Sequence, residues 1–329
     1  MGILETRAAI TQGILSIPGV TGISIPPHSI LKVYVEHAGI AEDLPDVLAG
    51  YEAQYIVTGK IEMLQRTGKV RPAPGGVSIS HYNVTAGTLG KIVYDNYTGE
   101  PYILSNNHVL ANYDTVQTRR AAIGDAIVQP GIYDGGTVAA DQIASLYKWV
   151  TLDLNAMNII DCALAKPLNT DDITDEILDI GKVTESIWEP ADGLNVKKSG
   201  RTTEITSGQI LDNHATIKVL NAKTNETATF MDQIITTPMA SGGDSGSLLV
   251  SEEGNKAVGL LFAGSDSITA HNKISNILGY LPIRLTPIPS PPPEKKGISA
   301  GALIIGGTLL ALAYAGTTTR TTSSRKTYK

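Results

Sequence analysis

The sequence predicts a mainly β protein, a barrel or sandwich of short strands, preceded by a small α/β unit and followed by an apolar helix. Short apolar runs recur between clusters of Gly, Asn and Asp as far as about residue 283, and this spacing is typical of many short strands. Examples are residues 91–94, 102–104, 126–128, 215–219, 247–250 and 257–262. The composition, 42% hydrophobic and 18% charged, is that of a globular protein.

Residues 1–70 alternate helical and strand patterns. Apolar positions at helical spacing predict helices over 6–17 and 42–48, and apolar runs predict strands over 20–25, 30–35 and 55–63. No residue in this unit indicates catalysis. Two roles stay open for it: an assembly domain, through which the chain forms a homo-oligomer, or a pro-region that is removed from the mature protein. A turn-rich segment, Arg71-Pro-Ala-Pro-Gly-Gly76, marks its boundary with the β region of 71–285.

The C-terminal part has three compositional zones. Residues 286–296 form a proline-rich, extended linker, residues 297–316 are twenty residues without a charge, and residues 317–329 are a basic Ser/Thr-rich tail. Twenty such residues are long enough to cross a bilayer as a helix, and the alternative is a terminal helix that docks on a partner. The N-terminus lacks the features of a signal peptide. We therefore expect a membrane-associated protein whose β region, residues 71–285, lies in the cytoplasm.

The charge, the cysteine content and the motifs of the chain limit the partners, disulfides and cofactors that we expect. The net charge of -6 gives no reason to expect a nucleic-acid partner. The single cysteine, Cys162, cannot form an intramolecular disulfide, and its apolar neighbours predict a buried structural thiol. No metal-binding or phosphate-binding motif is recognisable, so we expect neither a metal nor an organic cofactor.

The segment Gly242-Gly-Asp-Ser-Gly-Ser247 has the composition that a nucleophilic serine requires. Glycines allow the chain to turn sharply, so that the backbone amides of Gly243 and Ser245 can point at one developing oxyanion. The segment leads into a predicted strand. It is not the Gly-x-Ser-x-Gly elbow of α/β-hydrolases, because position 247 is serine. We therefore interpret Ser245 as a nucleophile.

A general base and an orienting carboxylate are expected upstream. His108 follows the apolar run 102–104, whereas the other histidines lack such a setting, although His81 and His271 can line a cleft. Asp161 lies in an otherwise apolar run, where an unpaired carboxylate would be costly, and a partnership with His108 removes that cost. Asp125 and Asp153, in more polar sequence, are the alternatives for this role. The other histidines are His28, His37, His81, His214 and His271.

These segments resemble those of a known family. Residues 71–283 resemble a trypsin-like serine peptidase domain of the chymotrypsin fold, and more closely the bacterial group to which the plant Narrow leaf proteins are also similar. The resemblance is carried by residues 70–79, 85–90, 103–111, 129–131 and 236–247. It implies a double β-barrel with the active site between the barrels, and it assigns the catalytic triad to His108, Asp161 and Ser245.

A second resemblance concerns the support of the nucleophile. Ser199-Gly-Arg-Thr-Thr203 is similar to a segment of α-lytic-type bacterial proteases, in which a nearby basic side chain pairs with the aspartate before the nucleophile. This implies that Lys198 or Arg201 pairs with Asp244. Because Arg71 precedes a proline, release of an activating N-terminus by tryptic cleavage is not expected, and we predict a preformed oxyanion hole.

The predicted substrate pocket departs from the trypsin pattern. Phe262 stands where chymotrypsin-like enzymes commonly have serine, which is expected to lower the rate or reshape the cleft. Met239, Ala263 and Gly264, also assigned to the pocket, provide no acidic base, so we predict an uncharged residue at P1. The sequence as a whole predicts a serine endopeptidase that acts on proteins or peptides through an acyl-enzyme. The alternative is a membrane-tethered scaffold that binds peptides without cutting them.

Overall fold

The computed structural model of the 329-residue chain describes residues 3–25, 30–59 and 66–288. The predicted span 297–316, the tail 317–329 and nearly all of the linker 286–296 lie outside the described residues. Within the described ranges, no helix is both long enough and apolar enough to cross a bilayer.

The N-terminal residues form a small unit with its own core. Its elements are α1 (Ile3–Leu15), β1 (Val20–Ser24), β2 (Leu31–Val35), α2 (Ala38–Asp43), β3 (Val47–Leu48) and β4 (Tyr51–Val57). The strands form one mixed sheet in the order β1-β2-β4-β3, in which β2 and β4 run parallel. Alternate residues of β2, Leu31, Val33 and Val35, are fully buried, and Ile14 of α1 covers them. This alternation is what a strand with one buried face requires.

Two predicted elements of this unit differ from the structure. The helix expected over 42–48 begins and ends earlier, at Ala38 and Asp43, and Leu44 is extended with ψ 146°. Leu44 precedes Pro45, whose ring disfavours the helical conformation for the preceding residue. The predicted strand 55–63 begins at Tyr51 instead, and its last four residues, 60–63, lie outside the described part of the chain.

The β region begins with an eight-stranded sheet, ordered β21-β8-β9-β13-β11-β10-β6-β7, in which the edge strand β21 (Ile283–Arg284) comes from the end of the region. Two short strands, β5 and β14, pair separately. Between residues 73 and 177 the elements are β5 (Ala73–Gly75), β6 (Ser78–His81), β7 (Gly87–Thr88), β8 (Lys91–Asp95), β9 (Pro101–Ser105), α3 (Asn107–Leu110), β10 (Ala126–Val128), α4 (Val138–Asp141), β11 (Gln142–Trp149), β12 (Met157–Asn158), β13 (Ala163–Pro167) and β14 (Ile173–Ile177). Single 3₁₀ turns cover Ile132–Asp134 and Thr170–Asp172.

The second sheet has seven strands in the order β12-β17-β16-β15-β18-β19-β20, and β17 also pairs with β20. That additional pairing closes the sheet on itself, with β12 attached outside the ring. Between residues 195 and 284 the elements are β15 (Asn195–Gly200), β16 (Glu204–Asn221), β17 (Glu226–Thr236), β18 (Leu248–Ser251), β19 (Ala257–Gly264), β20 (Thr269–Lys273), α5 (Ile274–Tyr280) and β21 (Ile283–Arg284). The mainly β prediction is therefore confirmed, with two curled sheets.

The two sheets share a hydrophobic core. One cluster joins Leu104 of the first sheet to Leu248 and Leu260 of the second, and Ile277 of α5 completes it. Cys162 is fully buried in the same cluster, and this burial raises the pKa of its thiol. The shared core fixes the ends of β9, β13 and β18 relative to one another, and the predicted site residues lie close to those ends.

Candidate active site

His108 lies in the short helix α3, which begins two residues after β9 ends. The preceding residue, Asn107, holds this turn, because its side-chain amide donates to the carbonyls of Asp114 at 3.0 Å and Val150 at 2.7 Å. Asn106 donates to the backbone carbonyl of Asp161 at 2.8 Å. Hydrogen bonds to backbone therefore fix the segment of His108 against that of Asp161.

The His108 ring pairs with the Asp161 carboxylate. Nδ1 of His108 lies 2.6 Å from Oδ2 of Asp161, and the backbone amide of His108 donates to Oδ1 at 3.3 Å. Asp161 is 2% exposed, whereas the His108 side chain is 24% exposed. A carboxylate accepts the hydrogen on Nδ1, which leaves the lone pair of Nε2 free to take a proton from another group.

A residue that sequence reasoning missed holds Asp161 from the other sheet. Asn272 of β20 accepts the backbone amide of Asp161 at 2.6 Å, and its own amide donates to Gln233 at 2.8 Å. Gln233 in turn donates to the carbonyl of Ile159 at 2.8 Å. No local signal identifies Asn272, because its role depends on the register that brings β20 beside residue 161.

The alternative carboxylates lie elsewhere. Asp125 is hydrogen-bonded to His81 at 3.1 Å, and Asp153 accepts from Gln117 at 2.7 Å. Among the described residues, Asp161 is the only carboxylate paired with His108.

None of the other described histidines occupies a position comparable to that of His108. His81 and His271 are fully buried rather than lining a cleft, and burial lowers the pKa of His81 and, together with Lys198, lowers that of His271 to about 3. His214 is exposed beside Asp232, and His37 precedes α2 in the N-terminal unit. His28 lies outside the described residues.

Ser245 occupies a tight turn just before β18. Gly243, two residues before it, and Gly246, directly after it, have φ of +98° and +97°, a region of backbone conformation that favours glycine. A Cβ atom on Gly246 would lie 2.3 Å from the Thr88 carbonyl, so only glycine fits there. The Ser245 carbonyl accepts the Thr88 amide at 2.8 Å, which ties the turn to the first sheet.

The hydroxyl and amides of this turn are largely free. Ser245 Oγ lies 3.5 Å from the Phe262 carbonyl, and within residues 66–288 no hydrogen bond joins it to His108. In the same range, the backbone amides of Gly243 and Ser245 have no acceptor. Two unpaired amides beside one hydroxyl are the donors that an oxyanion requires.

A cavity of about 290 Å³ opens beside Ser245. Its lining includes Ala240, Ser241, Ala263, Gly264 and Asp266. The predicted pocket residues Ala263 and Gly264 therefore line it. Sequence reasoning missed Asp266, an exposed residue in the turn between β19 and β20. An acidic residue in a polar turn carries no signal that it borders a cavity.

Two predicted pocket residues are in the core instead. Met239 is 4% exposed and packs with Val196 and Ile210 inside the closed sheet. The Phe262 ring packs against Phe230, with ring centroids 4.8 Å apart. Both side chains are large and apolar. Their chain neighbours Ala240 and Ala263 line the cavity, whereas Met239 and Phe262 themselves are buried.

Asp244 lies beneath the turn and is fully buried. Its carboxylate accepts the amides of Thr202 at 2.8 Å and Ser241 at 2.9 Å and the hydroxyl of Thr203 at 2.6 Å, and Lys198 lies 3.4 Å away. Burial alone would raise the pKa of Asp244, but the Thr203 hydroxyl, the amides and the Lys198 ammonium together lower it.

Of the two predicted partners of Asp244, Lys198 forms the ion pair. Arg201 instead binds Asp134, with Nε donating to Oδ2 at 2.9 Å. The difference arises because Lys198 lies within β15 and is fully buried, whereas Arg201 follows the end of that strand and turns toward the first sheet.

A larger cavity, of about 520 Å³, adjoins His108 on another side. The tip of the long β16–β17 hairpin borders it, and there Lys223 donates to the carbonyl of Asn83 at 3.0 Å. Arg120, which also lines the cavity, pairs with Glu226 of the hairpin at 2.9 Å.

Across the described ranges, no three His, Cys, Asp or Glu side chains come together in a group that could hold a metal ion.

No protein-family model matches the chain, and no curated protein matches it either. Among solved structures, the chain is similar to Thermobifida fusca protease A, with 20% identity and a TM-score of 0.47 over 65% of this chain and 98% of that one. It is also similar to a Nocardiopsis protease, with 18% identity and a TM-score of 0.46 over 64% and 97% of the two chains. For Cellulomonas bogoriensis chymotrypsin, the identity is 18% and the TM-score 0.46, over 65% and 98%.

Proposed function

We propose that the chain is a serine endopeptidase in which Ser245, His108 and Asp161 form the catalytic triad. Two features support the proposal: a histidine paired at 2.6 Å with a buried aspartate, and a serine whose turn leaves two backbone amides unpaired. The first feature provides a base, and the second provides a nucleophile with stabilisation for an oxyanion.

In the proposed reaction, Ser245 Oγ attacks the scissile carbonyl while Nε2 of His108 takes its proton. Asp161 holds the imidazole through Nδ1, and the amides of Gly243 and Ser245 donate to the oxyanion. His108 then protonates the leaving amine. In the second half of the reaction, His108 activates a water molecule that hydrolyses the ester of the acyl-enzyme and frees Ser245. The chemistry uses side chains and backbone amides of this chain alone.

The Ser245 hydroxyl is not held by a strong hydrogen bond. It makes a long contact, 3.5 Å, to the Phe262 carbonyl, and rotation about one side-chain bond redirects it. Hydrogen bonds between nucleophile and base are often loose in ligand-free enzymes and tighten when substrate binds. The long contact is therefore compatible with a nucleophile at rest.

The finer assignments belong to the same proposal. The double β-barrel of the trypsin-like peptidases, and the narrower likeness to the bacterial group related to the Narrow leaf proteins, rest on the sequence segments quoted above. The protein or peptide substrate would lie along the cavities beside Ser245 and His108, with an uncharged residue at P1. Association with a membrane through residues 297–316, a cytoplasmic catalytic domain and a homo-oligomer formed through residues 1–70 remain hypotheses.

The test of this proposal is proteolysis of an unfolded protein by the full chain. We expect the parent to generate new N-termini, identified by mass spectrometry, and both Ser245→Ala and His108→Ala to generate none. Ser267→Ala, which changes an exposed serine in the β19–β20 turn, is the matched control and should keep parental activity. A folded parent chain that binds the substrate without cleaving it would instead support the scaffold function.

A further inference from the structure

The orientation of one peptide group decides whether the Gly243 amide can serve an oxyanion. In a trans peptide the C=O of residue 242 and the N–H of residue 243 point in opposite directions. The Gly242 carbonyl accepts the Thr202 hydroxyl at 2.8 Å. Because that carbonyl is held toward Thr202, the Gly243 amide is directed away from Thr202 and stays without an acceptor among the described residues.

The turn around Ser245 offers this carbonyl a second partner. Backbone bonds from residue i+3 to residue i already join Asp244 to Ser241 and Ser247 to Asp244, each at 3.0 Å. The same spacing relates the Ser245 amide to the Gly242 carbonyl. This third bond is not formed. If it formed, it would occupy the Ser245 amide and rotate the Gly243 amide away, so both oxyanion donors would be lost together.

Neighbouring groups orient the Thr202 hydroxyl so that it donates to the Gly242 carbonyl. The Thr202 amide donates to Asp244 at 2.8 Å, and Nη1 of Arg201 donates to the Thr202 hydroxyl oxygen at 3.0 Å. Since a hydroxyl has a single hydrogen and Arg201 uses one of its lone pairs, the hydrogen remains for the Gly242 carbonyl. Arg201 is itself anchored by the nearly buried Asp134.

We propose that Thr202 is a positioning residue that keeps the oxyanion hole open by holding the Gly242 carbonyl. The inference rests on the proposed peptidase function and adds a residue to it. Thr202 lines neither the cavity beside Ser245 nor the one beside His108. It acts through the Gly242–Gly243 peptide, so its contribution belongs to the transition state rather than to substrate binding.

The test compares Thr202→Val, which keeps the shape but loses the hydroxyl, with Thr202→Ser, which keeps the hydroxyl. We expect Thr202→Val to lower kcat about tenfold with KM nearly unchanged, because the free energy of one ordinary hydrogen bond no longer holds the Gly242–Gly243 peptide in the open orientation. Binding of a peptide aldehyde, whose adduct places an oxyanion in the hole, should weaken by a similar factor. Thr202→Ser should restore both. The matched control is Thr206→Val, which removes a threonine hydroxyl from the Met239 carbonyl at 2.7 Å.

Three results would overturn the inference: kcat of Thr202→Val within twofold of the parent, an equal loss in Thr202→Ser, or an equal loss in Thr206→Val. Crystal structures of the parent and Thr202→Val give a readout that does not depend on activity. In the variant we expect the Gly242 carbonyl to accept the Ser245 amide. An unrotated peptide in the variant refutes the role of Thr202, whereas a parent with an open hole but no hydrolysis refutes the peptidase function.

Discussion

Lys198 and Asp244 form an ion pair 3.4 Å apart in which both side chains are fully inaccessible to solvent. Asp244 has four further hydrogen bonds, from Ser241, Thr202 and Thr203, so its charge is compensated without water. The pair lies directly beneath Ser245. The stability of the turn that carries Ser245 is therefore linked to the charge of one buried carboxylate.

The first prediction concerns stability at acid pH. Because the folded-state pKa of Asp244 is below its ordinary value of 3.8, its stabilising effect is complete above that pH and is lost as the pH falls below it. As the pH is lowered below 3.8, the melting temperature of the parent should therefore fall more steeply than that of Asp244→Asn, which should already be less stable at pH 7. Asp266→Asn, which removes an exposed carboxylate, is the control. Parallel curves for the parent and Asp244→Asn would contradict the prediction.

The second prediction separates the two His–Asp pairs of the chain. Asp161→Asn should lower kcat by about 10⁴, because an amide no longer holds the imidazole in the tautomer that leaves Nε2 free. Asp125→Asn changes the same kind of pair, with His81, outside the candidate site and should leave kcat within a few-fold of the parent. Steady-state kinetics on one peptide substrate measure both. A larger loss in Asp125→Asn would overturn the assignment of Asp161.

Some residues of the candidate site could be predicted from the sequence and others could not. Ser245 and its glycines could be predicted because the turn is local, and His108 and Asp161 because each interrupts or follows an apolar run. The contacts of Asn272 and Thr202 could not be predicted, since both join segments that are distant in the chain. Lys198 and Arg201 were indistinguishable for the same reason: which of them points at Asp244 is decided by where β15 ends.

The third prediction concerns P1 preference. Asp266 is an exposed carboxylate at the cavity beside Ser245, and an exposed ion pair contributes at most about 1 kcal/mol, or roughly a fivefold effect. The uncharged residues that line most of the cavity should therefore dominate, so that substrates with uncharged P1 residues are preferred. Asp266→Asn should change the ratio of kcat/KM for lysine over alanine at P1 by less than about fivefold. A change of a hundredfold would make Asp266 the main determinant.

The fourth prediction concerns residues 297–316. If they cross a membrane, the full chain expressed in bacteria should sediment with the membranes and resist extraction by carbonate, whereas a chain ending at residue 296 should not. Replacing two of the leucines, Leu309 and Leu310, by lysine in the full chain should have the same effect as the truncation, because charges at the centre of a span oppose insertion. A full chain that stays in the supernatant would favour a terminal helix that docks on a partner.

The central claim, that Ser245 is an activated nucleophile, is tested most directly by fluorophosphonate labelling of the full chain with mass spectrometry to locate the adduct. We predict a single adduct on Ser245, no adduct in Ser245→Ala and much slower labelling in His108→Ala. A folded parent chain that does not react, or that reacts equally well without His108, would contradict the claim.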